Sequence, residues 1–86
     1  MYNIIYSSQA RRDAKKAGKS GVKDNIKKLI EILQENPYQS PPPFEKLLGD
    51  LSGAYSRRIN MQHRLVYQIY EEEKIVKIIR MWTHYE

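Results

Sequence analysis

The sequence predicts an α+β fold with its elements in the order β-α-α-β-β-β, and three observations carry that prediction. Two consecutive segments in the first half place apolar residues at helical spacing. Three runs of strand character follow one another in the second half with short connections. Between the halves, residues 37–53 hold all four prolines and two of the four glycines.

Taken in order, "YNIIYS", Tyr2 to Ser7, is rich in aromatic and β-branched residues and predicts a short strand. Ser7 and Ser8 offer N-caps to the helix of "QARRDAKKAG", in which Ala10, Ala14 and Ala17 form a seam of small residues before Gly18. A second helix runs from near Ser20 to about Glu35. Its apolar stripe is Val22, Ile26, Leu29, Ile30 and Leu33, with Lys23, Lys27 and Lys28 off it. "NPY" stops it, because a residue before proline avoids the helical region. The two helices form a hairpin that covers a sheet. "PYQSPPPFEKLLGDLSG" is an irregular connection stiffened by its prolines, and a stiff loop can hold a side chain still. The later strands are Ala54 to Ile59, Arg64 to Tyr70 and Ile75 to Trp82, joined by "NMQH" and by the acidic turn "EEEK". Such strands form an antiparallel meander, which the N-terminal strand joins by a longer path.

At 86 residues the chain is expected to be one domain, 1–86, with a thin core. It has no cysteine, so a disulfide framework and a thiolate metal site are both excluded. Two separate histidines do not make a zinc site without carboxylates, and no metal or cofactor is expected. No leader-like start and no run of about eighteen apolar residues occurs, which points to a cytoplasmic protein without a membrane span. The net charge of +5 and pI near 9.5 suit a polyanionic partner such as nucleic acid, an anionic membrane surface or an acidic protein.

The charge concentrates in "YSRRINMQHRLVYQIY", Tyr55 to Tyr70, which carries Arg57, Arg58, His63 and Arg64. Strand alternation puts Leu65, Tyr67 and Ile69 on one face, as core, and Arg64, Val66 and Gln68 on the other. A hairpin loop of odd length sets Arg58 opposite Arg64, and one of even length sets Arg57 there. Two arginines directly opposite repel unless an anion lies between them or carboxylates flank them. One reading lays them over the sheet with buried stems and wet heads. The other is a phosphate site, since guanidinium groups offer paired donors that match phosphate oxygens.

Together, "FEKLLGDLSGAYSRRINMQHRLVYQI" and the later "HY" resemble the YoeB (Txe) family of bacterial toxins within the RelE superfamily, with the closest match in "LSG.YSRRI...HRLVY" and the terminal "HY". The resemblance implies a RelE-like, microbial RNase fold, two helices packed on a twisted antiparallel sheet. It implies a type II toxin that cuts translated mRNA in the A site of the 70S ribosome, without a metal, and is neutralised by a YefM-like antitoxin; it also allows a homodimer. By match to the family's motif, Glu45 is the general base, Arg58 and Arg64 bind phosphate, His84 is the general acid and Tyr85 positions substrate. Arg57 and His63 also match the motif, as substrate-binding residues.

The chemistry agrees with that set. Cleavage of RNA through its 2′-hydroxyl needs a base, cations for the phosphorane and an acid for the leaving 5′-oxygen. Two positions depart from the family: Leu48 stands where lysine is common, and Glu86 follows the usual terminal tyrosine. Two rival readings use fewer of these residues. A gyrase-targeting branch of the superfamily leaves Glu45, His84 and Tyr85 idle, and a non-enzymatic RNA- or ribosome-binding module needs only the basic hairpin, with tyrosines such as Tyr55, Tyr67 or Tyr85 stacking on bases. Tyr55 and Tyr67 fit sheet packing better.

Overall fold

The computed structural model describes residues 1–18, 21–49 and 53–83, apart from the side chains of residues 82 and 83. Its elements are β1 (Asn3–Tyr6), α1 (Ser8–Ala17), α2 (Lys23–Glu35), β2 (Glu45–Lys46), β3 (Ala54–Arg58), β4 (Arg64–Tyr70) and β5 (Ile75–Thr83). They form the expected α+β fold, two helices on one sheet, with strand order β1-β5-β4-β3-β2.

The sheet differs from expectation in two ways, one in strand direction and one in strand number. β1 runs parallel to β5, from Asn3 opposite Ile75 to Tyr6 opposite Ile78. Parallel neighbours need a long crossover, and the helices lie within the chain that joins these two strands. At the other edge the two-residue β2, expected as loop, pairs Glu45 with Ser56 and Lys46 with Tyr55. Two residues give almost no periodicity to read, so only pairing reveals this strand. The β3-β4-β5 meander is antiparallel as expected.

The helices owe their positions to local chemistry. Ser7 caps α1: its hydroxyl accepts the Ala10 N–H at 2.9 Å and donates to the Ile79 carbonyl at 2.7 Å, so one side chain starts the helix and fastens it to β5. α1 buries Ala10 and Ala17, whereas Ala14 is exposed. α2 starts three residues later than expected, at Lys23, and its stripe buries Val22, Leu29 and Leu33 while Ile26 and Ile30 pack half-buried beside them. These residues meet Leu65, Tyr67, Val76, Ile78 and Met81 from the sheet. Burying a side chain such as Leu33 stabilises the fold by about 1.5–3 kcal/mol.

Asp13 lies on the seam of α1 and is 1% exposed. Its Oδ2 accepts from Arg80 Nε at 2.9 Å and from the Met81 N–H at 3.1 Å, and its Oδ1 accepts from Gln9 Nε2 at 3.0 Å. The β4–β5 register slips on either side of Val66, near these two residues of β5. Asp13 therefore satisfies a backbone donor where the ladder is irregular, and it joins α1 to β5. Burial disfavours its charge, but the hydrogen bonds from Arg80, Gln9 and Met81 and the charge of Arg80 prevail, holding its pKa below the ordinary 3.8.

Candidate active site

The hairpin loop spans residues 59–63, an odd number, so Arg58 stands opposite Arg64 and Arg57 opposite Leu65. Alternation then separates the two neighbouring arginines completely. Arg58 turns to the same side as Ser56, Arg64 and Glu45, and Arg57 turns to the side of Tyr55, Leu65 and Tyr67.

Glu45, Ser56, Arg58 and Arg64 line an open cleft of about 300 Å³ together with Pro43 and Phe44. Arg64 Nη1 lies 3.9 Å from Glu45 Oε1 and 3.5 Å from Ser56 Oγ, on three adjacent strands. The Glu45 side chain is 69% exposed and that of Arg64 20% exposed. An ion pair this long and this exposed contributes little to stability, at most about 1 kcal/mol. Arg58 has no ion pair among the described residues. The cleft thus holds two facing cations and one accessible carboxylate, with Arg64 only loosely paired to Glu45.

Arg57, expected at the substrate, does different work. It is 1% exposed, and its donors are committed within the protein. Nε donates to the Tyr67 hydroxyl at 2.8 Å, Nη1 to the Pro42 carbonyl at 2.6 Å, and Nη2 to the carbonyls of Pro37 and Gln39 at 2.9 and 2.8 Å. Its guanidinium carbon also lies 4.8 Å from the centre of the Phe44 ring, which meets Tyr55 edge-on at 5.8 Å. Arg57 is accordingly corrected from a substrate contact to the clamp of the proline loop. Phe44, the residue it grips, directly precedes Glu45, so the clamp fixes where the carboxylate enters the cleft. Tyr67 completes the arrangement, stacked on Tyr55 at 5.9 Å, and burial pushes its hydroxyl pKa up.

His63 does not line the cleft. It is half-buried in the hairpin loop, where its carbonyl accepts the Ile59 N–H at 2.9 Å and its own N–H donates to Asn60 Oδ1 at 2.7 Å. Its backbone shapes the loop that sets Arg58 against Arg64. Leu48 is 86% exposed, so the position where lysine is common offers solvent an apolar side chain. His84, Tyr85 and Glu86 lie outside the described residues; β5 ends at Thr83, opposite Arg64.

Sequence reasoning missed the Arg57 clamp and the Asp13–Arg80 pair. The first was hidden by strand parity. The second had a signal, a carboxylate at helical spacing between Ala10 and Ala17, where a solvent-facing residue was not expected. A second cleft of about 350 Å³ between the helices is lined mainly by apolar atoms of Tyr6, Ala14, Ala17, Ile26 and Met81 and has no carboxylate beside its cations. Among the described residues no group of three His, Cys, Asp or Glu side chains could hold a metal ion, and no helix is long and apolar enough to cross a membrane.

Two helices on one side of a mixed sheet, with a cleft lined by an arginine pair and a carboxylate on its far strands, define a small RelE-like α+β protein. A profile described as the YoeB-like toxin of bacterial type II toxin–antitoxin systems matches residues 6–85, and the chain belongs to that family. A Toxin YoeB of Mycobacterium bovis is 40% identical over 60 residues, 70% of this chain and 68% of the relative. The fold is similar to that of a YoeB/ParE toxin from Agrobacterium tumefaciens, with a TM-score of 0.87, 25% identity and coverage of 96% and 99% of the two chains. It is also similar to the toxin of the YoeB–YefM complex from Staphylococcus aureus, with a TM-score of 0.82, 34% identity and 99% of each chain covered. The YoeB dimer from the same organism has a TM-score of 0.81 at 34% identity, with 98% of each chain covered.

Proposed function

We propose that this toxin is a ribosome-dependent mRNA endoribonuclease that arrests translation in the cytoplasm by cutting messages in the A site. The observation that carries the reading is the facing pair Arg58–Arg64 with the exposed carboxylate of Glu45 3.9 Å from Arg64. Glu45 takes the proton of a 2′-hydroxyl, and the freed oxygen attacks the adjacent phosphorus. Arg58 and Arg64 stabilise the doubly charged phosphorane, and the bond to the 5′-oxygen breaks as His84 donates a proton to it. The products are a 2′,3′-cyclic phosphate and a 5′-hydroxyl. DNA, which lacks the nucleophile, is not cut. Tyr85 positions the nucleotide in this scheme. Phosphate positioning and proton transfer come from side chains alone.

The partner in the same reading is a YefM-like antitoxin, as in the Staphylococcus aureus YoeB–YefM complex. An acidic segment, disordered when free, would gain its order by folding across the cations of the cleft. A homodimer has its counterpart in the YoeB dimer of that organism.

The test is primer extension on a reporter mRNA in a purified translation system with controlled metal ions, with and without ribosomes. Wild type should give ribosome-dependent cuts, and Glu45→Gln and His84→Ala should lose them while remaining folded. Absence of cuts by folded wild-type protein would sink the nuclease reading and leave a basic module built for binding alone.

A further inference from the structure

Arg58 belongs to two clefts at once. Besides the one it shares with Glu45 and Arg64, it lines a groove of about 340 Å³ between α2 and the end of β3, bounded by Asn25, Lys28, Leu29, Ile32, Pro42 and Ile59. The floor of this groove is apolar: Leu29 is 7% exposed, Ile59 5%, and Ile32 and Pro42 are half-buried. Its charged lining is cationic only. Neither the Lys28 nor the Arg58 side chain has an ion pair or hydrogen bond among the described residues, and Lys28 is exposed on α2. Asn25 donates from Nδ2 to the Ile59 carbonyl at 3.3 Å, so the helix side of the groove is tied to the hairpin loop on its other side. An apolar floor flanked by two unneutralised cations, one of them shared with the cleft, is unexpected for stability alone, because like charges at one groove repel.

We propose that this groove is a flanking-nucleotide subsite for single-stranded RNA, with Lys28 and Arg58 holding the phosphate beyond the scissile one and Leu29, Ile32, Pro42 and Ile59 supporting its base or ribose. The proposal rests on the reading of the Glu45–Arg64 cleft as an RNA site. A single strand presents unstacked bases together with its phosphates, and an apolar floor beside cations receives both. Arg58 links the two positions and thereby orients the strand across the sheet edge. Lys28 contributes only to the flanking position, which makes it the residue to test.

The experiment measures fluorescence anisotropy of labelled oligouridylates, a dinucleotide with a single phosphate and a nonanucleotide, with Glu45→Gln protein and no ribosomes, and gels confirm that the RNA stays intact. Lys28→Ala in that background should weaken the nonanucleotide by about three- to tenfold, leave the dinucleotide nearly unchanged, and lower the salt slope for the longer strand by about 0.7, the value for one phosphate contact on a single strand. Lys27→Ala removes the same charge one position away, off the groove, and should change neither RNA by more than about twofold. Equal effects of the two lysine variants, or failure of the parent protein to bind the nonanucleotide better than the dinucleotide, would overturn the subsite. Both results are independent of cleavage: if binding behaves as stated and wild type cuts no translated message, the nuclease reading falls while the subsite stands as part of an RNA-binding surface.

Discussion

Replacing Arg57 tests whether the clamp, rather than the cleft alone, sets the position of Glu45. The guanidinium makes four hydrogen bonds at 2.6–2.9 Å, three of them to carbonyls of residues 37–42, and it is 1% exposed. Hydrogen bonds from a charged donor are worth about 1.5–3 kcal/mol each, but they do not add, and the cost of burying the guanidinium opposes them. Removing one partner from a buried charged network typically costs about 3–5 kcal/mol. A chain of this length has a total stability of about 4–13 kcal/mol, so Arg57→Ala consumes a large part of it and unfolds a protein at the low end. Arg57→Lys keeps the charge but replaces a planar fork with one ammonium, which cannot reach Tyr67 and three carbonyls together. It should cost about 2–3 kcal/mol and leave the protein folded. Urea unfolding measures the stability of both variants. Cleavage by folded Arg57→Lys, assayed well below its unfolding midpoint, should fall by about tenfold or more as Phe44 loses its partner and Glu45 drifts, since small misplacements of a reacting group are expensive. If Arg57→Lys retains wild-type stability within about 0.5 kcal/mol and full cleavage, the clamp has no such role.

Other outcomes follow from the same geometry. Glu45→Gln should lower cleavage by about 10²–10⁴-fold, and Arg64→Ala by about 10²–10³-fold, with unfolding midpoints near wild type because their mutual contact is long and exposed; a large loss of stability in either would show that the pair is structural. Leu33→Ala should cost about 2–5 kcal/mol in urea unfolding, because Leu33 is fully buried in the last turn of α2; a loss under about 1 kcal/mol would contradict that packing. Asp13 titrates below 3.8 in the folded protein, so the unfolded chain binds more protons between the two values. Its contribution is complete above the unfolded value and is lost as pH falls through the folded one. Asp13→Asn should therefore lower stability at neutral pH and flatten its decline below about pH 4, which urea titrations at several pH values would reveal; an unchanged acid limb would mean that Asp13 carries none of it.

Much of the fold was legible because periodicity is a local property. The stripe from Val22 to Leu33, the cap at Ser7 and the strand Arg64–Tyr70 each depend on residues a few positions apart, and each occurs where it was expected. The family was legible as well, since the motif from Glu45 through Arg64 is contiguous enough to match. What a linear reading could not supply was pairing. The parity of residues 59–63 alone decided that Arg58 faces Arg64 and that Arg57 turns inward, and one residue more or less would have exchanged their roles. The parallel contact of β1 with β5, the two-residue β2 that carries Glu45, and the meeting of Asp13 with Arg80 all join positions far apart in the chain. The sequence by itself determined which segments are helices and strands and which residue types are available for chemistry. Only the tertiary structure decided which of two adjacent arginines faces the cleft and which is a buried clamp, because a strand sends neighbouring side chains to opposite faces and the register of its partner selects the face.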